Sequence, residues 1–142
     1  MSATVFRHTH RVTYAECAPG DHVYYARYLD LLEAARGEFL RARGATFRQW
    51  QEQDTIFPVV ECHLRYLAPA PYDDVLTVEV RIVAAEKVRL NFGYRIINQS
   101  NAPVLEAETH HVCTGLNGKP KRLPEELHAQ LRHAPGADAA IR

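Results

Sequence analysis

One segment, residues 22–43, constrains the fold of this chain more than any other. It contains no proline, and its apolar side chains recur three or four positions apart, as on one face of a helix. That face comprises Tyr24, Tyr28, Leu31, Leu32, Ala35, Phe39 and Leu40. Asp21 is placed to cap the helix, and Gly44 follows it where helices commonly end. At about 1.5 Å per residue the helix would be roughly 33 Å long, enough to cross a small domain.

Alternation of apolar and polar residues predicts strands on both sides of this helix. One strand precedes it at residues 4–14, and four follow at residues 56–67, 75–84, 88–98 and 103–116. Short turns join the four later strands, so these run antiparallel, because a parallel return needs about a dozen residues or more. Shorter helices are predicted at residues 47–53 and 124–133. The simplest assembly is an α+β fold in which a curved antiparallel sheet of about five strands wraps around one long central helix.

Size and composition restrict the class of protein. A chain of 142 residues has the length of one domain, which we expect at residues 1–133, with a flexible tail at residues 134–142. Seventeen basic residues balance seventeen acidic ones, which argues against a nucleic-acid partner or an anionic membrane surface. Three scattered cysteines are too few for a disulfide framework. With no signal peptide and no apolar run of spanning length, a cytoplasmic protein is expected.

Two stretches of this sequence carry a resemblance to a known family. They comprise His22-Val23-Tyr24-Tyr25 with Tyr28 and Glu33, and Tyr66, Ala68 and Pro69 with Asp73-Asp74. The chain resembles the hotdog-fold acyl-CoA thioesterases of the 4-hydroxybenzoyl-CoA thioesterase type, over residues 9–124. The resemblance implies the hotdog fold and a homodimer with one continuous sheet, often paired again into a tetramer. It also implies an active site at the subunit interface, near the helix N-terminus, which hydrolyses an acyl-CoA thioester without a metal or a cofactor.

One departure from that family concerns the chemistry itself. The family usually carries an aspartate four residues before the position of His22, where this chain has Ala18. Alanine can neither attack a thioester nor activate water. Hydrolysis needs a carboxylate or another base, together with hydrogen-bond donors for the oxyanion. The N–H groups of the predicted helix N-terminus, at residues 23–25, are suited to the second role, and the resemblance favours Tyr25 as the donor.

Three carboxylates are candidates for the first role. Asp21 stands at the mouth of the predicted helix; its alternative is a structural N-cap, which would make it a poorer nucleophile. Glu33 lies three turns further on, and a related subgroup of the fold uses a helix glutamate from the partner subunit. Its alternative is an ion pair with Arg36 at i,i+3 spacing. Glu16, at the end of the first strand, is the third. The candidate catalytic residues are therefore Asp21 and Glu33, with Tyr25 as oxyanion donor.

Aromatic and basic residues are the candidates for substrate binding. In the stretch that carries the resemblance, His22, Tyr24 and Tyr28 are candidates for the substrate site. An aromatic lining by Tyr14, Tyr24, Tyr28 or Phe57 would suit aryl and medium-chain acyl groups alike. Four turn residues are suited to the phosphates of coenzyme A, namely Lys87, Arg89, Lys121 and Arg122. The alternative for each of them is an ordinary solvated turn charge.

The eight histidines do not form a metal motif by their spacing. His110 and His111 are adjacent in a predicted strand, so their side chains point to opposite faces. His8 and His10 share a face but have no cysteine or carboxylate at metal-ligand spacing. We therefore expect no metal site and no cofactor.

These residues leave two interpretations of the function. The first is a thioesterase for a small aromatic or a short- or medium-chain acyl-CoA, with a relocated carboxylate. The second is a non-catalytic acyl-CoA-binding protein that has lost the usual aspartate. A hotdog hydratase is a more distant third, because the Gly20-Asp21-His22 stretch only faintly matches the hydratase motif.

Overall fold

The predicted strands form a single antiparallel sheet in the computed structural model, which describes residues 5–133. Its five strands are β1 (Phe6–Arg11), β4 (Val59–Tyr66), β5 (Val75–Glu86), β6 (Arg89–Ile97) and β7 (Pro103–Val112). Their order across the sheet is β1-β5-β6-β7-β4, and every neighbouring pair is antiparallel. The first strand joins an edge, as predicted, and β4 forms the other edge.

Alternation along the strands defines the inner face of the sheet. On β5 and β6 the buried apolar side chains occur at every second position, as the alternation predicts; they are Leu76, Val78, Val80, Ile82, Leu90, Phe92, Tyr94 and Ile96. The part of the chain that the structure describes also contains three α-helices: α1 (Tyr28–Arg43), α2 (Phe47–Gln51) and α3 (Glu125–His133). α1 packs against β1 and β5, with Leu32 and Phe39 fully buried. The predicted α+β arrangement of a five-stranded sheet and one long helix is confirmed.

The long helix begins six residues later than its pattern predicts. Residues 22–27 are not α-helical. A short hairpin pairs β2 (Cys17–Ala18) with β3 (His22–Val23), and a 3-10 turn follows at Tyr25–Arg27. The cause is tertiary, because the Val23 N–H donates to the Ala70 carbonyl at 2.9 Å and so holds this segment extended. The prediction of Asp21 as N-cap is wrong, since Arg27 occupies that position. Gly44 does end the helix, with φ of 124°.

Other boundaries differ from the prediction by a few residues. β4 begins at Val59, because only a single bridge joins Ile56 to Thr114 before it. The same irregular stretch ends β7 at Val112 rather than at residue 116. The predicted tail at residues 134–142 lies outside the described residues. Within residues 5–133, no helix has the length and apolar character needed to cross a membrane.

Candidate active site

The β2–β3 hairpin forms one wall of the candidate site. Its turn needs left-handed backbone at two positions, which glycine and aspartate tolerate: Gly20 has φ of 100° and Asp21 φ of 59°. Ala18 and His22 are directly opposite each other in the ladder. Directly opposite residues project from the same face with Cβ atoms about 4.5–5.5 Å apart. The His22 imidazole therefore stands beside the position where the related family carries its aspartate.

Four tyrosines, Tyr24, Tyr25, Tyr28 and Tyr66, build the opposite wall. The first three come from the 3-10 turn and the start of α1, and Tyr66 comes from the end of β4. The Tyr66 ring lies edge-on to Tyr28 with centroids 5.7 Å apart, and to Tyr25 at 6.4 Å. The Tyr66 hydroxyl donates to the Tyr25 carbonyl at 3.1 Å, which fixes the peptide at the beginning of the turn.

Between these walls lies a cleft of about 490 Å³, which we call the tyrosine cleft. It is lined by Ala18, His22 and Val23, by the four tyrosines, and by residues 67–69. Burial, together with Tyr66, raises the pKa of Tyr28 to about 12, so this hydroxyl stays protonated and can only donate or accept hydrogen bonds. The structure thus brings together His22, Tyr24, Tyr25 and Tyr28, all of which the sequence singled out.

Backbone donors at the cleft are fewer than the sequence predicts. The N–H groups of Val23 and Tyr24 are used by the Ala70 and Glu16 carbonyls, at 2.9 and 2.8 Å. Of the three predicted backbone donors at residues 23–25, only the Tyr25 N–H therefore remains a candidate. Tyr25 begins the 3-10 turn, so its N–H has no partner within that turn.

None of the three candidate carboxylates lines the tyrosine cleft. Asp21 is at the hairpin tip, where its carboxylate accepts the Tyr72 N–H at 3.3 Å. Glu33 lies on the exposed side of α1, in a groove beside α2. The predicted partner of Glu33, Arg36, donates instead to the Tyr94 hydroxyl at 3.5 Å.

Glu16 is engaged in holding the chain before the hairpin. Its Oε1 accepts the Thr13 N–H at 2.8 Å and lies 2.8 Å from His10 Nε2. Burial alone would raise the pKa of Glu16, but these hydrogen bonds and the charge of His10 lower it below its usual value. This carboxylate therefore serves as a hydrogen-bond acceptor within the fold.

The basic turn residues gather at the far end of the sheet from the cleft. Arg89 pairs with Val112 at the end where β4 begins, whereas Tyr66 is at the end where β4 finishes. The Leu123 N–H donates to the Lys87 carbonyl at 2.8 Å, which draws residues 119–123 beside the β5–β6 turn. Within one protomer, the predicted phosphate-binding residues and the tyrosine cleft are separated by the length of the sheet.

Lys121 has a contact that the sequence did not reveal. Its Nζ donates to the Asp54 carbonyl at 3.0 Å and to the Thr55 hydroxyl at 3.2 Å. The ammonium group thereby ties the segment after β7 to the segment before β4.

The family assignment comes from comparison with known proteins. The profile of the thioesterase-like superfamily matches residues 12–131. The chain belongs to this superfamily. The acyl-CoA thioester hydrolase YbgC of Escherichia coli is 34% identical over 133 residues, which are 93% of this chain and 99% of that one. The 1,4-dihydroxy-2-naphthoyl-CoA hydrolase of Thermosynechococcus vestitus is 28% identical over 95% of this chain and 94% of its own.

Solved structures of the thioesterase-like superfamily confirm the hotdog fold. The Synechocystis protein Slr0204, a 1,4-dihydroxy-2-naphthoyl-CoA thioesterase, has a TM-score of 0.82 and 26% identity. The similarity covers 89% of this chain and 94% of that one. The resemblance to acyl-CoA thioesterases that the sequence stretches carried is therefore confirmed.

Two features of the site escaped the sequence reasoning. Tyr66 was noted for the resemblance but not as a site residue, although it contacts both Tyr25 and Tyr28. The pairing of His22 with Ala18 does not follow from the sequence pattern, because the pattern predicts a helix from residue 22. The Pro19-Gly20-Asp21 turn was the available signal, because it is equally suited to a tight hairpin.

Proposed function

We propose that this protein hydrolyses acyl-CoA thioesters in the tyrosine cleft. Membership of the thioesterase-like superfamily and the printed activities of its relatives support the reaction class. The cleft is largely aromatic, which suits a planar aryl or a short- or medium-chain acyl group. The observation that carries the proposal furthest is the position of His22, directly across the hairpin from Ala18.

In this proposal His22 is the general base that replaces the missing aspartate. Imidazole is well suited to accepting a proton near neutral pH, and His22 lines the cleft. It would take a proton from a water molecule as the water oxygen attacks the thioester carbonyl carbon. The tetrahedral intermediate then collapses, the C–S bond breaks, and the imidazolium returns the proton to the departing thiolate. The acid and free coenzyme A are the products.

The developing oxyanion would be stabilised by the N–H of Tyr25. A donor at the first residue of a 3-10 turn is unpaired within the turn and is aimed outward. The hydrogen bond from the Tyr66 hydroxyl to the Tyr25 carbonyl holds the neighbouring peptide in place. Tyr24 and Tyr28 would contact the acyl group.

We further propose a homodimer built on β4. Seven of the eight residues of this edge strand are exposed, including Val59, Val60 and Tyr66 at 43%, 58% and 50%. A long uncovered edge is a template for pairing with another strand. Antiparallel pairing of two β4 strands about a two-fold axis gives the continuous sheet that the resemblance implies.

Such a dimer would reunite the two separated parts of the site. Antiparallel pairing sets the Tyr66 end of one β4 beside the Val59 end of the other. β6 lies two strands away from β4, about 10 Å in a sheet, so Arg89 and Lys87 of one protomer approach the cleft of the other. There they would bind the phosphates of coenzyme A, together with Arg122 and Lys121. We expect the enzyme to work in the cytoplasm, because its three cysteines are free thiols.

The test is turnover of a panel of aryl- and alkyl-CoA thioesters by the unmodified protein and by variants of the candidate residues. We expect His22→Gln to lower kcat by about a hundredfold or more with little change in KM, as loss of a general base does. Ala18→Asp restores the family carboxylate beside His22. When added to His22→Gln, it should recover activity, because the two side chains share one face of the hairpin.

Asp21→Asn is the matched control, because it lies next to His22 and asparagine also tolerates a positive φ. It should leave kcat unchanged. If instead Asp21→Asn abolishes turnover and His22→Gln does not, the hairpin-tip carboxylate is the catalyst. Loss through Glu33→Gln alone would assign the role to a helix glutamate supplied across the dimer.

The alternative function is acyl-CoA binding without turnover, which the alanine at position 18 favours. It predicts tight acyl-CoA binding by calorimetry, no hydrolysis by the unmodified protein, and a gain of hydrolysis on Ala18→Asp. A measurable kcat in the unmodified protein that His22→Gln removes would exclude this alternative.

A further inference from the structure

Two Glu-x-His stretches meet on the outer face of the sheet, away from the helix. One is Glu61 and His63 on β4, and the other is Glu108 and His110 on β7. The strand register places Glu61 directly opposite His110, and His63 directly opposite Glu108. Each carboxylate therefore faces one imidazole across the ladder and precedes a second imidazole by two residues along its own strand. The result is a compact square of two carboxylates and two imidazoles on paired strands.

The ligand atoms of this square converge on the Glu61 carboxylate. Its Oε1 lies 2.9 Å from His63 Nε2 and 3.2 Å from His110 Nδ1. The ligand atoms of these three residues all lie within 4.8 Å of one another. The second nitrogen of His110, Nε2, is 2.9 Å from Glu108 Oε1. The two imidazole rings are 5.4 Å apart and tilted by 52°.

We propose that Glu61, His63 and His110 bind a divalent transition-metal ion of the Zn²⁺ class. Two imidazole nitrogens and one carboxylate oxygen are donors that Zn²⁺ prefers, at bond lengths of about 2.0–2.2 Å. The ion would replace the direct contacts between the Glu61 carboxylate and the two imidazoles. Water would complete its coordination, because the carboxylate and His63 are exposed.

Glu108 has a separate role as a positioning residue. Metal-bound histidines commonly donate their second ring N–H to a carboxylate, which fixes the tautomer and makes the coordinating nitrogen more basic. The contact between His110 Nε2 and Glu108 has this arrangement and leaves Nδ1 directed at Glu61. The cluster thus contains the supporting carboxylate that metal-bound histidines commonly have.

The metal site is independent of the tyrosine cleft, because the two share no lining residue. Its ligands come from two neighbouring strands, so a bound ion would fasten the edge strand β4 to β7. The side chains project from the face of the sheet rather than along its hydrogen-bonding edge. A dimer formed through β4 would therefore leave them in place.

The proposal predicts one Zn²⁺ per chain, measured by calorimetry after chelator treatment and by elemental analysis after dialysis. Co²⁺ should give the visible absorption bands of a site with nitrogen and oxygen ligands. His110→Gln and His63→Gln should weaken binding by more than about a hundredfold, and Glu108→Gln by about ten- to a hundredfold, the range for supporting carboxylates. Binding should also weaken on acidification, because the imidazoles must be unprotonated.

His128→Gln is the matched control, since it removes an imidazole on α3 that does not belong to the cluster. It should bind Zn²⁺ as the unmodified chain does. Zn²⁺ should also raise the melting temperature of the unmodified protein and of this control, but not that of His110→Gln. Binding that survives both His110→Gln and His63→Gln, or no binding at 100-fold molar excess of Zn²⁺, would overturn the proposal. Neither result depends on thioesterase activity.

Discussion

His111 on β7 lies at one end of a buried chain of hydrogen bonds that runs from the sheet towards helix α1. Its Nδ1–H donates to the Phe57 carbonyl at 2.9 Å, and its Nε2 accepts from the Thr109 hydroxyl at 2.9 Å. That hydroxyl in turn accepts from the Tyr94 hydroxyl at 2.6 Å. A proton on Nε2 would face the Thr109 hydroxyl and force it to reverse. The neutral imidazole therefore fits this arrangement as it stands, whereas the charged one requires the Thr109 and Tyr94 hydroxyls to reorient.

The size of this effect follows from the pKa of His111. Burial is the main cause that lowers the pKa of His111 from 6.5 to about 4. The charges of Arg36 and His110 lower this pKa further, whereas the hydrogen bond to the Phe57 carbonyl raises it. The unfolded chain thus gains this proton near pH 6.5, and the folded chain only near pH 4. Between those values the unfolded state binds more protons, so the free energy of unfolding falls as the pH falls. A difference of about 2.5 pH units, at about 1.36 kcal/mol each, corresponds to a loss of about 3 kcal/mol.

Urea unfolding at a series of pH values from 7.5 to 4.5 measures this loss, with a chelator present to keep the histidine cluster metal-free. The variant His111→Gln cannot gain the proton in either state. Its unfolding free energy should fall less steeply with acidification, by up to about 1.4 kcal/mol per pH unit below pH 6.5. His128→Gln is the control and should follow the unmodified protein. Equal slopes for His111→Gln and the unmodified chain would refute the reasoning, whatever the absolute stability of the variant.

Two further predictions concern the assembled enzyme. Light scattering at micromolar concentration should give at least twice the chain mass of 16.1 kDa, because β4 is exposed over most of its length; a monomer mass would remove the composite site as well. Arg89→Ala should raise KM for acyl-CoA more than it lowers kcat and should reduce the salt dependence of binding, since a phosphate contact is equal in ground and transition states. An unchanged KM would mean that Arg89 is an ordinary solvated turn charge and does not bind phosphate.

Most of the sheet could be predicted because strand patterns are local. The alternation of residues 75–84 and 88–98 reports directly which side chains face the core, and short turns allow only antiparallel neighbours. The start of the long helix could not be predicted in this way. Tyr24 and Tyr28 have helical spacing, yet the Val23 N–H is bonded to Ala70, nearly fifty residues away along the chain. No local pattern encodes a bond of that kind.

The same distinction separates the predicted parts of the site from the rest. The residues of one segment, His22, Tyr24, Tyr25 and Tyr28, were found because the resemblance lies within that segment. Tyr66 joins them only through the packing of β4 against the 3-10 turn. Part of the proposed metal site could be read from the sequence. Both Glu-x-His stretches occur in predicted strands, so the Glu and His side chains of each stretch share a face of the sheet. What was missing was the register that sets one pair opposite the other.

The proposed use of His22 in place of the family's aspartate has a consequence for how the cleft would work. A carboxylate can attack the thioester directly, whereas an imidazole acting as base needs a water molecule between itself and the carbonyl. The alanine side chain at position 18 is smaller than an aspartate side chain, which would leave room for that water beside His22. The two chemistries also differ in their intermediates, because direct attack by a carboxylate leaves the acyl group bound to the enzyme and attack by water does not. We therefore expect hydroxylamine to trap no acyl-enzyme during turnover by the unmodified protein. Trapping of an acyl-enzyme would mean that a carboxylate, and not water activated by His22, attacks the thioester.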